Sequence, residues 1–225
     1  EEGITIFGFS FAGSDMGNEN KNIGLFRTLK SGATFKKIIL YNNGINGVSE
    51  KCGILAGSIE TDGIVKISDC QFRGTISDSK FHTGGIIGYM SGGSIEILNT
   101  DIGAQILKCG EYTGGIIGYV TGSNPQITID GLTSKLQPIV VKGSSYVGGI
   151  FGKISNADLT LKNIKLAHES TQSENEAIVG SGPYVGGIAG ELYSSDSNAQ
   201  ISLDNVSLSF PIKGKDNTGG LFGKV

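Results

Sequence analysis

The sequence predicts an all-β chain, a right-handed β-solenoid (β-helix) of about seven coils, each of roughly 30–38 residues and about three short strands. Three observations predict it. One phrase recurs: TGGIIGYM at Thr83–Met90 and TGGIIGYV at Thr113–Val120, then VGGIFGKI (Val147–Ile154), VGGIAGEL (Val185–Leu192) and TGGLFGKV (Thr218–Val225), with worn copies ahead at Asn22–Leu29 and Cys52–Ile59. The first aliphatic residue of each copy (Leu25, Leu55, Ile86, Ile116, Ile150, Ile188, Leu221) returns at intervals of 30, 31, 30, 34, 38 and 33 residues, the mark of a repeat architecture. Between copies the apolar residues alternate, as in Ile95-Glu96-Ile97 and Leu159-Thr160-Leu161, which is the period of half-buried strands.

The first element of each coil is this anchor phrase. Its last position is Leu29, Ile59, Met90, Val120, Ile154, Leu192 and Val225, aliphatic throughout and therefore core. The preceding position (Thr28, Ser58, Tyr89, Tyr119, Lys153, Glu191, Lys224) is mixed and faces solvent. Gly57, Gly88, Gly118, Gly152, Gly190 and Gly223 fill one column, which predicts either a corner with positive φ or close contact with a neighbouring coil. The fourth and fifth positions are both apolar, as in Ile86-Ile87 and Ile150-Phe151. Either a bend at the following glycine turns both inward, or Phe26, Phe151 and Phe222 form an exposed stripe for lateral contact.

The second element follows 10 to 14 residues later, as FKKIIL (Phe35–Leu40), ISDCQF (Ile67–Phe72), ILNTDI (Ile97–Ile102), LKNIKL (Leu161–Leu166) and LDNVSL (Leu203–Leu208). Its centre carries Lys37, Asp69, Asn99, Gly131, Asn163 and Asn205. Asn, Asp and Gly tolerate the left-handed region, so this column predicts a sharp corner, and stacked amides would bond along it. A third, looser apolar run closes each coil. At about 4.8 Å per coil the stack makes a rod roughly 34 Å long. Residues 1–225 read as one domain, with 1–21 an incomplete first coil or cap and 22–225 the repeats; the chain reads as a piece of a longer repeat protein.

The net charge of −3 without a basic block removes the electrostatic footprint of a nucleic-acid binder, and no run of ~18 apolar residues predicts a membrane span. No Cys-x-x-Cys pair occurs, His82 and His168 lack partners at ligand spacing, and the glycine-rich anchors are not followed by a helix; no cofactor and no metal site is predicted. Cys70 falls in the inward column, and Cys52 and Cys109 are placed about two coils apart, too far for a disulfide. A polysaccharide-cleaving site would need carboxylates clustered on adjacent coils. Asp69, Asp101 and Asp130 sit in neighbouring coils but in different columns, so no catalytic residue is assigned. The threonines of the anchor column are too interrupted for an ice-binding ladder. The longest insertion, Ala167–Pro183, is polar and acidic; His168, Glu169, Glu174 and Glu176 are its candidate contact residues.

The anchors TGGIIGY, VGGIFGK, VGGIAGE and TGGLFGK resemble the GLUG motif of bacterial surface and secreted proteins, and Asn163-Ile164, Asn205-Val206 and Asp69-Cys70 match that family's following element. The resemblance covers about 200 of the 225 residues. It implies a β-solenoid within large adhesin-like proteins, hence an extracellular or cell-surface location and no catalytic residues. The expected function is a non-enzymatic structural or adhesive segment: a stiff rod that presents loops to other protein chains or surface glycans and self-associates head to tail. The alternative is a carbohydrate-binding or polysaccharide-cleaving β-helix.

Overall fold

The computed structural model describes residues 3–13, 21–48, 50–135, 137–167, 177–195 and 199–225. They form a β-solenoid of about six turns without a helix, built from four parallel sheets. Among the described residues no helix is long and apolar enough to cross a membrane.

One coil shows why these residues form these elements. Phe81–Gly84 belongs to the first sheet and Ile87–Ser91 to the second, with the bend at Gly85 and Ile86 between them. Ser94–Leu98 lies in the third sheet and Asp101–Leu107 in the fourth. There are thus four strands per coil rather than three, because the anchor phrase is itself a bend with a strand on either side. The next coil repeats this in register: Thr83 pairs with Thr113, Ile87 with Ile117, Ile95 with Ile127 and Ile106 with Val141. The first and second sheets each carry seven rungs.

The anchor bend turns both of its aliphatic residues inward. Ile86, Ile87, Ile116, Ile117, Ile150 and Phe151 are all fully buried. The bend precedes the second of each pair rather than following it. Phe151 therefore does not belong to an exposed stripe; it pairs with Ile117 and Ala189 inside the stack. Phe26 is exposed and rests on Phe35 at 5.4 Å, while Phe222 packs partly buried against the core. In the anchor column Cys52, Thr83, Thr113, Val147 and Val185 are buried, while Asn22 is half-buried and Thr218 exposed, so Thr83 and Thr113 offer no face to ice.

The column of six glycines corrects the corner reading. Gly57, Gly88, Gly118, Gly152, Gly190 and Gly223 lie within strands of the second sheet, and none has a positive φ. Close approach makes them glycine. A Cβ on Gly118 would stand 2.6 Å from His82 C, one on Gly190 2.5 Å from Tyr146 C, and one on Gly223 2.5 Å from Val185 N. The first and second sheets meet backbone to backbone, with no room for side chains between them.

The Asn/Asp column is a true corner. Lys37, Asp69, Asn99, Gly131, Asn163 and Asn205 all take φ between 46° and 78°. One left-handed residue shifts the alternation by one, so Leu159 and Leu161 point inward before Asn163, and Ile164 and Leu166 after it. The amides bond along the stack, Asn205 Nδ2 donating to Asn163 Oδ1 and Asn163 Nδ2 to Asp130 Oδ1, both at 2.8 Å. The three cysteines are buried free thiols.

The core is one continuous apolar cluster along the axis. Each buried Ile or Leu contributes roughly 1.5–3 kcal/mol, against about 0–1 kcal/mol for an exposed ion pair such as Lys66–Glu96. Apolar stacking therefore holds the rod, and the polar ladders set its register.

Candidate functional site

The entry into successive first-sheet strands carries another left-handed column: His82 (φ 48°), Tyr112 (59°), Tyr146 (55°), Tyr184 (65°) and Asn217 (50°). Each of the four aromatic residues sits on a glycine of the adjoining sheet, Gly118, Gly152, Gly190 or Gly223. The tight contact beneath them fixes the backbone. Bulky residues avoid this region, at about 1–2 kcal/mol each, yet four consecutive coils place an aromatic ring there.

The rings stack along the rod. His82–Tyr112, Tyr112–Tyr146 and Tyr146–Tyr184 have centroids 5.2, 4.9 and 4.9 Å apart and interplanar angles of 15°, 18° and 29°. The outward column of the second sheet joins them: Tyr119 stacks on Tyr112 at 5.0 Å and on His82 at 5.6 Å, and Tyr89 meets Tyr119 edge-on at 5.8 Å. Five of the chain's seven tyrosines lie in this half-buried cluster.

Cations lie close to several of the rings. Lys51 Nζ lies 4.4 Å from the centre of Tyr89, Lys153 5.1 Å from Tyr146, and Lys224 5.2 Å from Tyr184, a favourable placement against the ring quadrupole. Glu191, buried, binds Lys153 at 2.6 Å and Lys224 at 2.8 Å; Lys51 pairs with Glu60 at 3.1 Å. Burial alone would raise the Glu191 carboxyl, but hydrogen bonds and charge from the two lysines hold it below the usual range. Burial pushes the Tyr89, Tyr112 and Tyr146 phenols up, so they stay protonated. It also lowers His82 to about 4, with Lys51 adding to the effect, so the imidazole is neutral at pH 7. Its Nδ1 is buried without a hydrogen-bond partner.

The carboxylates considered as catalytic candidates are occupied elsewhere. Asp101 accepts from Thr133 Oγ1 and Lys135 N, both at 2.9 Å, and from Arg73 Nη2 at 3.4 Å. Asp130 and Asp69 accept from the amides of Asn163 and Asn99. Among the described residues, no group of three His, Cys, Asp or Glu side chains is close enough to hold a metal. His168, Glu169, Glu174 and Glu176 lie outside the described residues.

The aromatic ladder occupies the position just before each anchor, as in FHTGG, EYTGG, SYVGG and PYVGG. That recurrence is visible in the sequence, one residue ahead of the anchor phrase itself. Comparison with protein-family models, curated proteins and solved structures finds no match.

Proposed function

We propose that the chain is a non-enzymatic, stiff segment of a surface or extracellular protein, as its likeness to GLUG repeats implies. It acts as a spacer and adhesive rod, presenting its loops and its aromatic–cationic face to a partner. The observation that carries this reading is the repetition itself: six successive coils repeat the same four strands around one apolar core, with one register shift between Phe72 and Gly74, and polar side chains such as Asn163, Asn205 and Glu191 bond to neighbouring coils. End-to-end association belongs to the same reading, because parallel rungs add to one another through their strand edges.

The second reading, a carbohydrate-binding or carbohydrate-cleaving β-helix, draws support from the tyrosine ladder. Its ring faces are stacked on one another and capped by lysines, so it offers a glycan hydroxyls and edges rather than platforms. A glycan array combined with a reducing-sugar assay tests both readings. Binding without turnover supports the adhesive rod. Turnover abolished by Asp101→Asn in a folded variant overturns it. Electron microscopy across a concentration series tests self-association: rods that lengthen with concentration support it, and a strictly monomeric species overturns it.

A further inference from the structure

The oxidisable side chains of this chain are unevenly placed. There is no tryptophan, the three cysteines are buried thiols, and Met90 is fully buried. Thiol and thioether oxidation follows exposure, so among the described residues the phenols are the readily oxidised groups that a solvent-borne oxidant meets. Five of them are gathered in one cluster, with three near-parallel pairs: Tyr112–Tyr119 at 5.0 Å, and Tyr112–Tyr146 and Tyr146–Tyr184 at 4.9 Å.

We propose that the ladder is a site of oxidative tyrosine coupling, in which Tyr146 joins Tyr112 or Tyr184 by a carbon–carbon bond and staples adjacent coils. The inference rests on the ladder's geometry alone and stands whether or not the rod binds a glycan or another copy. The oxidant is hydrogen peroxide acting through a haem peroxidase. Each of two phenols gives up one electron and one proton. The resulting phenoxyl radicals join at carbons ortho to oxygen, and each ring regains aromaticity by moving its ortho hydrogen to oxygen. Two phenols have then lost two hydrogens, and one peroxide has become two waters. Neighbouring rings held in register make the coupling intramolecular and favour it over encounters between molecules. The product would hold coils together as a disulfide does elsewhere, in a chain whose described thiols are free and buried.

The remaining tyrosines supply the internal control. Tyr41 and Tyr193 are the more exposed, at 42% and 49%, and no tyrosine ring contacts either among the described residues. The dilute folded chain is treated with a haem peroxidase and peroxide, and the product is read by dityrosine fluorescence, intact mass and peptide mapping. The expected product is a monomer lighter by two hydrogens, linked between Tyr112 and Tyr146 or between Tyr146 and Tyr184, with a raised urea midpoint. The double change Tyr112→Phe, Tyr146→Phe removes every near-parallel tyrosine pair and keeps the rings; it lowers the yield about fivefold or more, while Tyr41→Phe with Tyr193→Phe leaves it unchanged. Covalent dimers linked through Tyr41 or Tyr193 overturn the proposal, as does an equal yield from the urea-unfolded chain. Circular dichroism confirms that each variant is folded, and the folded-against-unfolded comparison on the unaltered chain decides the matter without any variant.

Discussion

Left-handed residues recur at several edges of the rod, and two of these columns follow different physics. At the Asn corner the side chain suits the backbone, and its amide also bonds to the next coil. Asn163→Ala is expected to cost about 1–2 kcal/mol, from the left-handed backbone and the lost amide bonds. Asn163→Gly keeps the φ freely and should cost less; urea denaturation of both variants separates backbone from hydrogen bond. Lys37 holds the same φ of 54° without the amide, so Lys37→Asn should stabilise by about 0.5–1 kcal/mol. At the aromatic edge the backbone is unfavourable and the rings compensate. Tyr146 has a ring neighbour on each side and Lys153 over its face; at ~0.5–1.5 kcal/mol per ring pair and ~0.5–1 for the cation, these outweigh the ~1–2 kcal/mol that an easier backbone would return. Tyr146→Asn should therefore destabilise by about 1 kcal/mol, although asparagine is the better left-handed residue; a gain in the urea midpoint would show that backbone strain dominates. His82 adds a pH dependence. Its folded value, about 4, lies below the unfolded ~6.5, so its contribution is complete above pH 6.5 and is lost as pH falls toward 4. With solvent reaching part of the ring, the loss should be roughly 1–2 kcal/mol. Lys51 and Glu50 are the charges acting on it. Urea midpoints at pH 7.5 and 5 should differ less in His82→Phe than in the unaltered chain.

At the scale of the element, the anchor phrase is a bend in which two sheets touch through their backbones. Gly118→Ala would place a methyl group 2.6 Å from His82 C and Thr83 N, and neither backbone can yield without opening the stack. A loss of about 3 kcal/mol or more is expected, readable as a lowered urea midpoint, whereas alanine at Gly44, whose Cβ would meet only Ser10 Oγ at 3.7 Å, should change little. The same column shows how far the sequence is legible. It reveals that a glycine is required but not whether φ or contact requires it, because both leave the same residue. The Asn corner is fully legible, since inward residues three apart, Leu161 and Ile164, demand one inserted left-handed residue between two strands. The Ile86-Ile87 pair is legible only as a conflict with alternation; its resolution, a bend between the two strands, also raises the strand count from three to four. The aromatic ladder escapes notice for a different reason. Each ring taken singly, one residue ahead of an anchor, reads as ordinary surface, and only stacking across coils makes His82, Tyr112, Tyr146 and Tyr184 one feature.

For the whole molecule, the consequence of one repeated coil is that stability is distributed along an axis. Each rung touches only its neighbours, so an interior rung is held from two sides and a terminal rung from one. Burial records this difference: Leu159 and Leu161 are 1% and 0% exposed in the penultimate rung of the third sheet, while their partners Ile201 and Leu203 in the last rung are 46% and 39% exposed. The last rung should therefore open alone, ahead of the rest. In the 225-residue chain, amide exchange over Ile201–Ser209 is expected to be at least about tenfold faster than over Ile117–Thr121. Adding a mild denaturant should erode protection inward from the end rather than everywhere at once. Uniform protection along the rod would mean that the coils open as a single unit and that nearest-neighbour contacts do not describe its stability. An oxidised sample sharpens the comparison, because a link between Tyr112 and Tyr146 should slow exchange in the coils it joins and leave the unlinked rung at Ile201–Ser209 as fast as before.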